Sequence, residues 1–76
     1  MADTEERLDL RGLKCPLPAL KARKRLASMA VGSVLLVEAT DPMSAIDIPN
    51  MARETGDVVE AAERDGTVLR FRIRKG

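Results

Sequence analysis

The chain contains one cysteine, and the residues around it are of the types that chemistry at a thiol would need. Cys15 lies within the segment Gly12 to Pro18, which reads GLKCPLP. Proline is favoured in the first turn of a helix, where a missing N–H costs nothing, so Pro16 and Pro18 are interpreted as the first and third helical residues. Cys15 is then the N-cap or its neighbour, and its thiol faces the positive end of the helix dipole.

This position predicts a sulfur that is exposed, rigidly aimed and partly ionised. The helix end and Lys14 both favour the thiolate, so the pKa of Cys15 is predicted to lie below that of a free cysteine. Gly12 lets the backbone turn with no side chain in the way. Such a thiolate suits a nucleophile or a sulfur acceptor. The chain has no histidine, so no general base is evident.

The alternative is that Cys15 is a small, buried hydrophobic residue, as lone cysteines of small proteins often are. Two prolines at a helix start argue against that interpretation, because they have no ordinary purpose in core packing. We therefore treat Cys15 as the candidate catalytic residue, with Gly12, Lys14, Pro16 and Pro18 shaping its site.

Composition excludes several classes of protein. The 76 residues suffice for one domain over 1–76, and the acidic residues 1–6 are expected to form a flexible tail. One cysteine allows no internal disulfide, and without histidine or a second cysteine we expect no metal site and no cofactor. No signal peptide or membrane-length apolar run is apparent, which favours a cytoplasmic protein with no membrane partner. A net charge of +1 does not predict nucleic-acid binding.

The hydrophobic pattern predicts six elements in the order βαβαββ. Leu8 to Leu10 alternates as a half-buried strand, and the apolar run Ser33 to Ala39 suits a central strand. Asp41 is interpreted as the N-cap of a second helix that begins at Pro42, is kinked or split at Pro49 and ends at Gly56. Asp65-Gly66 predicts a hairpin between the last two strands, Val58 to Arg64 and Thr67 to Arg74.

The first helix is predicted to run from Pro16 to Met29 or Ala30, with its end marked by Gly32. One face carries the apolar residues assigned to the sheet, which are Ala19, Ala22, Leu26, Met29 and Ala30. In the second helix the residues assigned to the sheet are Ala45, Ile48, Met51 and Ala52. Leu17 falls on the solvent side with Lys21 and Lys24, one turn from the thiol. These three residues are the predicted docking patch for a protein partner.

The last strand alternates between a core face and a charged face. Leu69, Phe71 and Ile73 are assigned to the core, whereas the opposite face carries Arg70, Arg72 and Arg74. We interpret the arginine row as a solvated outer face that pairs with Glu60 across the hairpin. Two helices can cover only one face of the sheet, which predicts an α/β fold, a two-layer α+β sandwich with a four-stranded mixed sheet.

Together, these motifs resemble those of the TusA/SirA sulfur-carrier family. The matching residues are Leu8-Asp9, Gly12-Leu13, Cys15-Pro16-Leu17-Pro18, Arg23-Lys24, Asp41-Pro42, Asp47-Ile48-Pro49 and Arg74-Lys75. The resemblance implies a fold similar to the C-terminal domain of translation initiation factor 3, with sheet order 1-2-4-3. Leu17 replaces a glutamate found in many relatives, which leaves the partner open. Ala52 stands where some relatives have a second cysteine, so a relay within the chain is excluded.

The resemblance also implies a function as a sulfurtransferase. Members carry sulfur as a persulfide on the cysteine that matches Cys15. They receive it from a cysteine desulfurase or a rhodanese-type donor and pass it to an acceptor such as a DsrE-like or thiouridylase relay protein. The sulfur could serve tRNA thiolation, sulfur oxidation or cofactor maturation. The protein is expected to act as a monomer.

Two other functions stay open at the level of sequence. An RNA-binding module on the same fold would use Arg70, Arg72 and Arg74, but the chain lacks exposed stacking aromatics and direct nucleic-acid binding is not expected. A redox regulator would form mixed disulfides through Cys15 and would carry no sulfane sulfur.

Overall fold

The computed structural model describes residues 5–76, which form one four-stranded sheet and two helices. The elements in chain order are β1 (Glu5–Leu10), α1 (Leu17–Ala27), β2 (Val34–Ala39), α2 (Ser44–Thr55), β3 (Val58–Asp65) and β4 (Val68–Arg74). The strand order is β1-β2-β4-β3, with β1 parallel to β2 and the other pairs antiparallel. The predicted βαβαββ order, the mixed sheet and the sheet order 1-2-4-3 are confirmed.

The first strand is longer than predicted. Glu5 and Glu6 belong to β1 and pair with Val34 and Leu35 of β2, so the expected tail over residues 1–6 is wrong at these two positions. Residues 1–4 lie outside the described part of the chain. Exposed acidic residues are poor indicators of strand structure, but here the pairing with the apolar strand β2 overrides local propensity.

The core lies between the sheet and the helices and is almost wholly aliphatic. Its buried members come from every element except β3: Leu10, Ala22, Leu26, Met29, Leu35, Val37, Ala39, Ile48, Met51, Leu69, Phe71 and Ile73. β3 is an edge strand whose residues are mostly exposed. The predicted alternation of β4 is confirmed, because its three apolar residues enter this core.

Helix α1 begins and ends inside its predicted limits. Pro16 is the N-cap, Pro18 is the second helical residue, and the helix stops at Ala27, with Ser28 as C-cap. Ala22, Leu26 and Met29 are buried as predicted, but Ala30 is exposed because it follows the end of the helix. The side chain of Pro18 is fully buried, so the expectation that the prolines have no packing role is wrong for Pro18.

Helix α2 starts two residues later than predicted and is not split. Its N-cap is Met43 rather than Asp41, and it continues from Ser44 through Pro49 to Thr55, where Gly56 ends it in the left-handed conformation (φ 81°). Asp41 instead caps the turn that leads into the helix. Ile48, Met51 and Ala52 are buried as predicted, whereas Ala45 is exposed.

The outer face of the sheet carries the arginine row, and carboxylates neutralise it. Arg72 and Arg74 both bind Glu60, and Arg70 binds Glu38 at 2.9 Å. Arg72 also contacts Glu5 at 2.8 Å. The predicted pairing with Glu60 is confirmed for two of the three arginines. A cleft of about 490 Å³ lies on this face, and it contains no thiol.

Candidate functional site

Cys15 lies in the connection between β1 and α1, and its side chain is exposed. It directly precedes the N-cap Pro16, to which it is joined by a cis peptide bond. The expected exposure is therefore present, although Cys15 is the neighbour of the N-cap rather than the cap itself. The turn is fixed by the Leu17 N–H, which donates to the Lys14 carbonyl at 2.8 Å.

The parallel pairing of β1 and β2 explains which residues meet at this site. Leu10 and Ala39 end their strands side by side, so the segments that follow both strands emerge at the same edge of the sheet. The Gly12 N–H crosses to the Thr40 hydroxyl at 2.9 Å. Gly12 has a φ of 85°, a conformation that side chains disfavour, so its predicted role in the turn agrees with the backbone.

Asp41 joins the cysteine loop to the start of α2. One carboxylate oxygen accepts the N–H of Cys15, and the other accepts the N–H of Met43 at 3.0 Å. These two backbone bonds, with a smaller contribution from the positive charge of Lys14, lower the pKa of Asp41. Asp41 thus holds the backbone of the cysteine in place.

Asp47 contacts the thiol itself. The Cys15 Sγ donates a hydrogen bond to Asp47 Oδ2 at 2.9 Å, across 32 positions of sequence. This bond, then burial, then the negative charges of Asp47 and Asp41 raise the pKa of Cys15 above its usual value. The predicted depression of the thiol pKa is therefore wrong. The sequence interpretation considered only the helix end and Lys14, and missed two carboxylates from a later segment.

The sequence did contain a signal for both carboxylates. Asp41-Pro42 and Asp47-Ile48-Pro49 were among the motifs that carry the family resemblance, yet neither aspartate was given a place in the site. Asp41 follows β2 directly, and Asp47 lies in the first turn of α2. The parallel β1–β2 pair brings this turn beside the cysteine loop.

A groove of about 260 Å³ runs from the thiol between the two helices. Cys15 and Pro16 form one end of it, and Ala19, Leu20 and Met51 contribute apolar walls. Polar groups from Arg23, Asp47 and Asn50 also face it. The thiol can therefore be approached from solvent along this groove.

The surface beside the thiol is apolar on both helices. Leu17 is 44% exposed and Leu20 is 52% exposed on α1, and at the start of α2 Met43 and Ile46 are also exposed. Lys21 and Lys24 are exposed on α1, as predicted. Leu20, Met43 and Ile46 were not predicted as surface residues of the site. The sequence did contain a signal for their exposure, because these three residues are not among the apolar positions that face the sheet.

The described residues offer no group of three or more acidic or cysteine side chains arranged to hold a metal ion. Within residues 5–76 there is also no helix of the length and apolarity needed to cross a membrane.

Comparison with known proteins agrees with the motifs. The model of a family described as "Sulfurtransferase TusA" matches residues 6–75. The chain is 44% identical over 75 residues to the sulfur carrier protein TusA of Allochromatium vinosum, covering 99% of both chains. Its fold is similar to the crystal structure of a SirA-like protein from Desulfitobacterium hafniense, with a TM-score of 0.80 and 31% identity, covering 92% of this chain and 96% of that one.

Proposed function

The chain belongs to the TusA family of sulfur carriers, and from this premise we propose that it carries sulfane sulfur as a persulfide on Cys15. The observation that supports this proposal is the exposed thiol of its one cysteine, held in a loop that is tied to β2 and α2. An exposed sulfur at the end of an open groove can be reached by the sulfur of another protein.

Loading follows from the nucleophilicity of the thiolate. The Cys15 thiol first loses its proton, and Sγ then attacks the outer sulfur of a donor persulfide, R–S–SH. The new Sγ–S bond forms as the donor S–S bond breaks, and the donor leaves as a thiolate that takes up a proton. The products are Cys15–S–SH and R–SH. Sulfane sulfur is transferred without any other oxidant or reductant.

Unloading is the same exchange in the opposite direction. An acceptor thiolate attacks the outer sulfur of Cys15–S–SH, the bond between Sγ and that sulfur breaks, and Cys15 leaves as a thiolate. Cys15 then regains a proton and returns to the thiol that donates to Asp47. The protein ends in its starting state, so it is a sulfurtransferase in the catalytic sense.

The remaining site residues shape the position of the sulfur. Gly12 provides the turn, and Pro16 and Pro18 fix the start of α1. Lys14 contributes a positive charge within the loop, next to Cys15. With Asp41 bound to the Cys15 N–H, these residues keep the thiol at a fixed place at the groove end.

The docking surface is formed by Leu17, Lys21 and Lys24, which are all exposed on α1. We propose that Leu17 is the apolar anchor and that the lysines steer an acidic surface of the partner. The donor is a cysteine desulfurase or a rhodanese-type protein, and the acceptor belongs to a DsrE-like or thiouridylase relay. The recipient pathway, whether tRNA thiolation, sulfur oxidation or cofactor maturation, is left open. Cytoplasmic location and a monomeric state stay predictions.

The two alternative functions have less support from the structure. Arg70, Arg72 and Arg74 are engaged by carboxylates, so the row is not a free cationic surface for RNA. A redox regulator would use the same thiol, and only the chemistry of the product separates it from a carrier.

Intact-protein mass spectrometry after incubation with a cysteine desulfurase and cysteine tests the proposal. We expect the wild-type chain to gain the mass of one sulfur atom, reversible by a reducing agent, and Cys15→Ser to gain nothing. Equal loading of Cys15→Ser would contradict a persulfide on Cys15. Mixed disulfides without any added sulfur would favour the redox regulator.

A further inference from the structure

We propose that Asp47 determines which sulfur compounds react with Cys15, by repelling anionic ones and favouring partners that present a cationic side chain beside their reactive sulfur. The inference rests on the proposed function for its biological meaning. Its physical basis is the contact between the Asp47 carboxylate and Cys15 Sγ at 2.9 Å.

This contact favours the neutral thiol form of Cys15. Only a protonated sulfur can donate to Asp47 Oδ2, whereas a thiolate at the same place would face a carboxylate of equal charge. The pKa of Cys15 is raised by this bond first, then by burial and by the charges of Asp47 and Asp41. Cys15 is therefore a latent nucleophile until something weakens the effect of the nearby carboxylates.

The charges around the thiol are arranged in two groups. The α2 side is mainly acidic, with Asp41 before the helix, Asp47 at the sulfur and Glu54 farther along the groove, and Arg53 near the end of α2 is the cation of this helix. On the other side, the cysteine loop and α1 supply cations, which are Lys14, Lys21, Arg23 and Lys24. A complementary partner therefore places acidic groups opposite α1 and a lysine or arginine opposite Asp47, which fixes one orientation of docking.

A partner cation at Asp47 would also activate the sulfur. Asp47 is only partly buried, so a guanidinium or ammonium group can reach its other oxygen, Oδ1. Pairing with that cation lowers the negative potential at Sγ and weakens the hydrogen bond that holds the thiol proton. Docking and thiol ionisation are thereby coupled. Small anionic sulfane compounds, such as thiosulfate and polysulfides, bring no such cation and are repelled.

Thiol–disulfide exchange with three small disulfides of different charge tests this inference without any partner. The probes are dicationic cystamine, neutral hydroxyethyl disulfide and dianionic dithiodiglycolate, at low ionic strength. The readout is the ratio of the cystamine rate to the dithiodiglycolate rate. Both rates in the ratio come from the same protein, so its thiolate fraction cancels. The two reagents release different thiols, and that difference cancels when the ratio is compared between variants.

We expect Asp47→Asn to lower the ratio about tenfold. One charge pair about 6 Å apart in water changes a rate about threefold. The Asp47 carboxylate speeds the cationic reagent by about this factor and slows the anionic reagent by about the same factor, so the ratio of the two rates changes about tenfold. Asp47→Glu should retain most of the wild-type ratio. Glu54→Gln removes a carboxylate seven positions farther along α2, about 10 Å away along the helix axis, and by the same reasoning should lower the ratio only about three- to fourfold.

An unchanged ratio in Asp47→Asn, or an equal fall in Glu54→Gln, would overturn the inference. The wild-type chain gives an independent test that does not depend on a folded variant. Relative to free cysteine, it should favour cystamine at low salt and lose that preference as salt is added; no preference at low salt would also overturn the inference. None of the three reagents carries sulfane sulfur. A negative result in the disulfide-exchange experiment therefore does not contradict the carrier function. A negative result in the persulfide-loading experiment does not contradict the selection by charge.

Discussion

Replacing Leu17 tests whether the surface beside the thiol is a docking patch. Leu17 is 44% exposed, so a little less than half of its side chain is available to a partner. Full burial of a leucine side chain is worth about 1.5–3 kcal/mol, so burying the exposed part in a complex contributes about 1 kcal/mol. Leu17→Ala should then lower kcat/KM for sulfur transfer from a protein donor about fivefold. Leu17→Glu should lower it further, because the new carboxylate must be desolvated in the complex.

The assay compares two sulfur donors with the same variants. A cysteine desulfurase supplied with radiolabelled cysteine requires protein docking, whereas a small uncharged organic persulfide does not. Val31→Glu is the matched control, because Val31 is an exposed apolar residue beyond the far end of α1. Both glutamate variants should melt near the wild-type temperature, and only Leu17→Glu should slow transfer from the desulfurase. If loading from the small persulfide falls in step with protein transfer, or if Val31→Glu is equally slow, the patch is not a docking surface.

Two further predictions concern the same loop and helix. Charge reversal at Lys21 and Lys24 should slow transfer from the desulfurase most at low ionic strength, because rim charges mainly set the encounter rate; a salt-independent loss measured by stopped flow would contradict this. Pro16→Ala and Pro18→Ala should each slow transfer by loosening the start of α1, and only Pro18→Ala should lower the melting temperature, since only the Pro18 side chain is buried. Transfer at the wild-type rate in the double variant would show that the prolines do not position Cys15.

Most of the fold could be predicted from the sequence, because hydrophobic period and turn residues act locally. The apolar run around Val37 marked the central strand, and Asp65-Gly66 marked the hairpin. The errors lie where tertiary contacts override local rules. Glu5 and Glu6 join β1 through pairing with β2, and α2 continues through Pro49 while its inner face packs on the sheet.

The candidate site was predicted only in part, for a physical reason. The exposure of Cys15 and the turn at Gly12 follow from residues within a few positions of the thiol. The electrostatics of the thiol depend on Asp41 and Asp47, which lie 26 and 32 positions away and reach it through the parallel pairing of β1 and β2. Local reasoning therefore predicted the wrong direction for the pKa of Cys15.

The most direct test of the carrier account follows labelled sulfur through one complete cycle. The chain is loaded from a desulfurase with radiolabelled cysteine, freed of the donor, and mixed with an acceptor protein of the DsrE type that has a free thiol. The account predicts that the loaded chain returns to its original mass as the acceptor gains one labelled sulfur atom, and that Cys15→Ser supports neither step. Label that stays on the wild-type chain, or that reaches the acceptor equally well through Cys15→Ser, would contradict a carrier function based on Cys15.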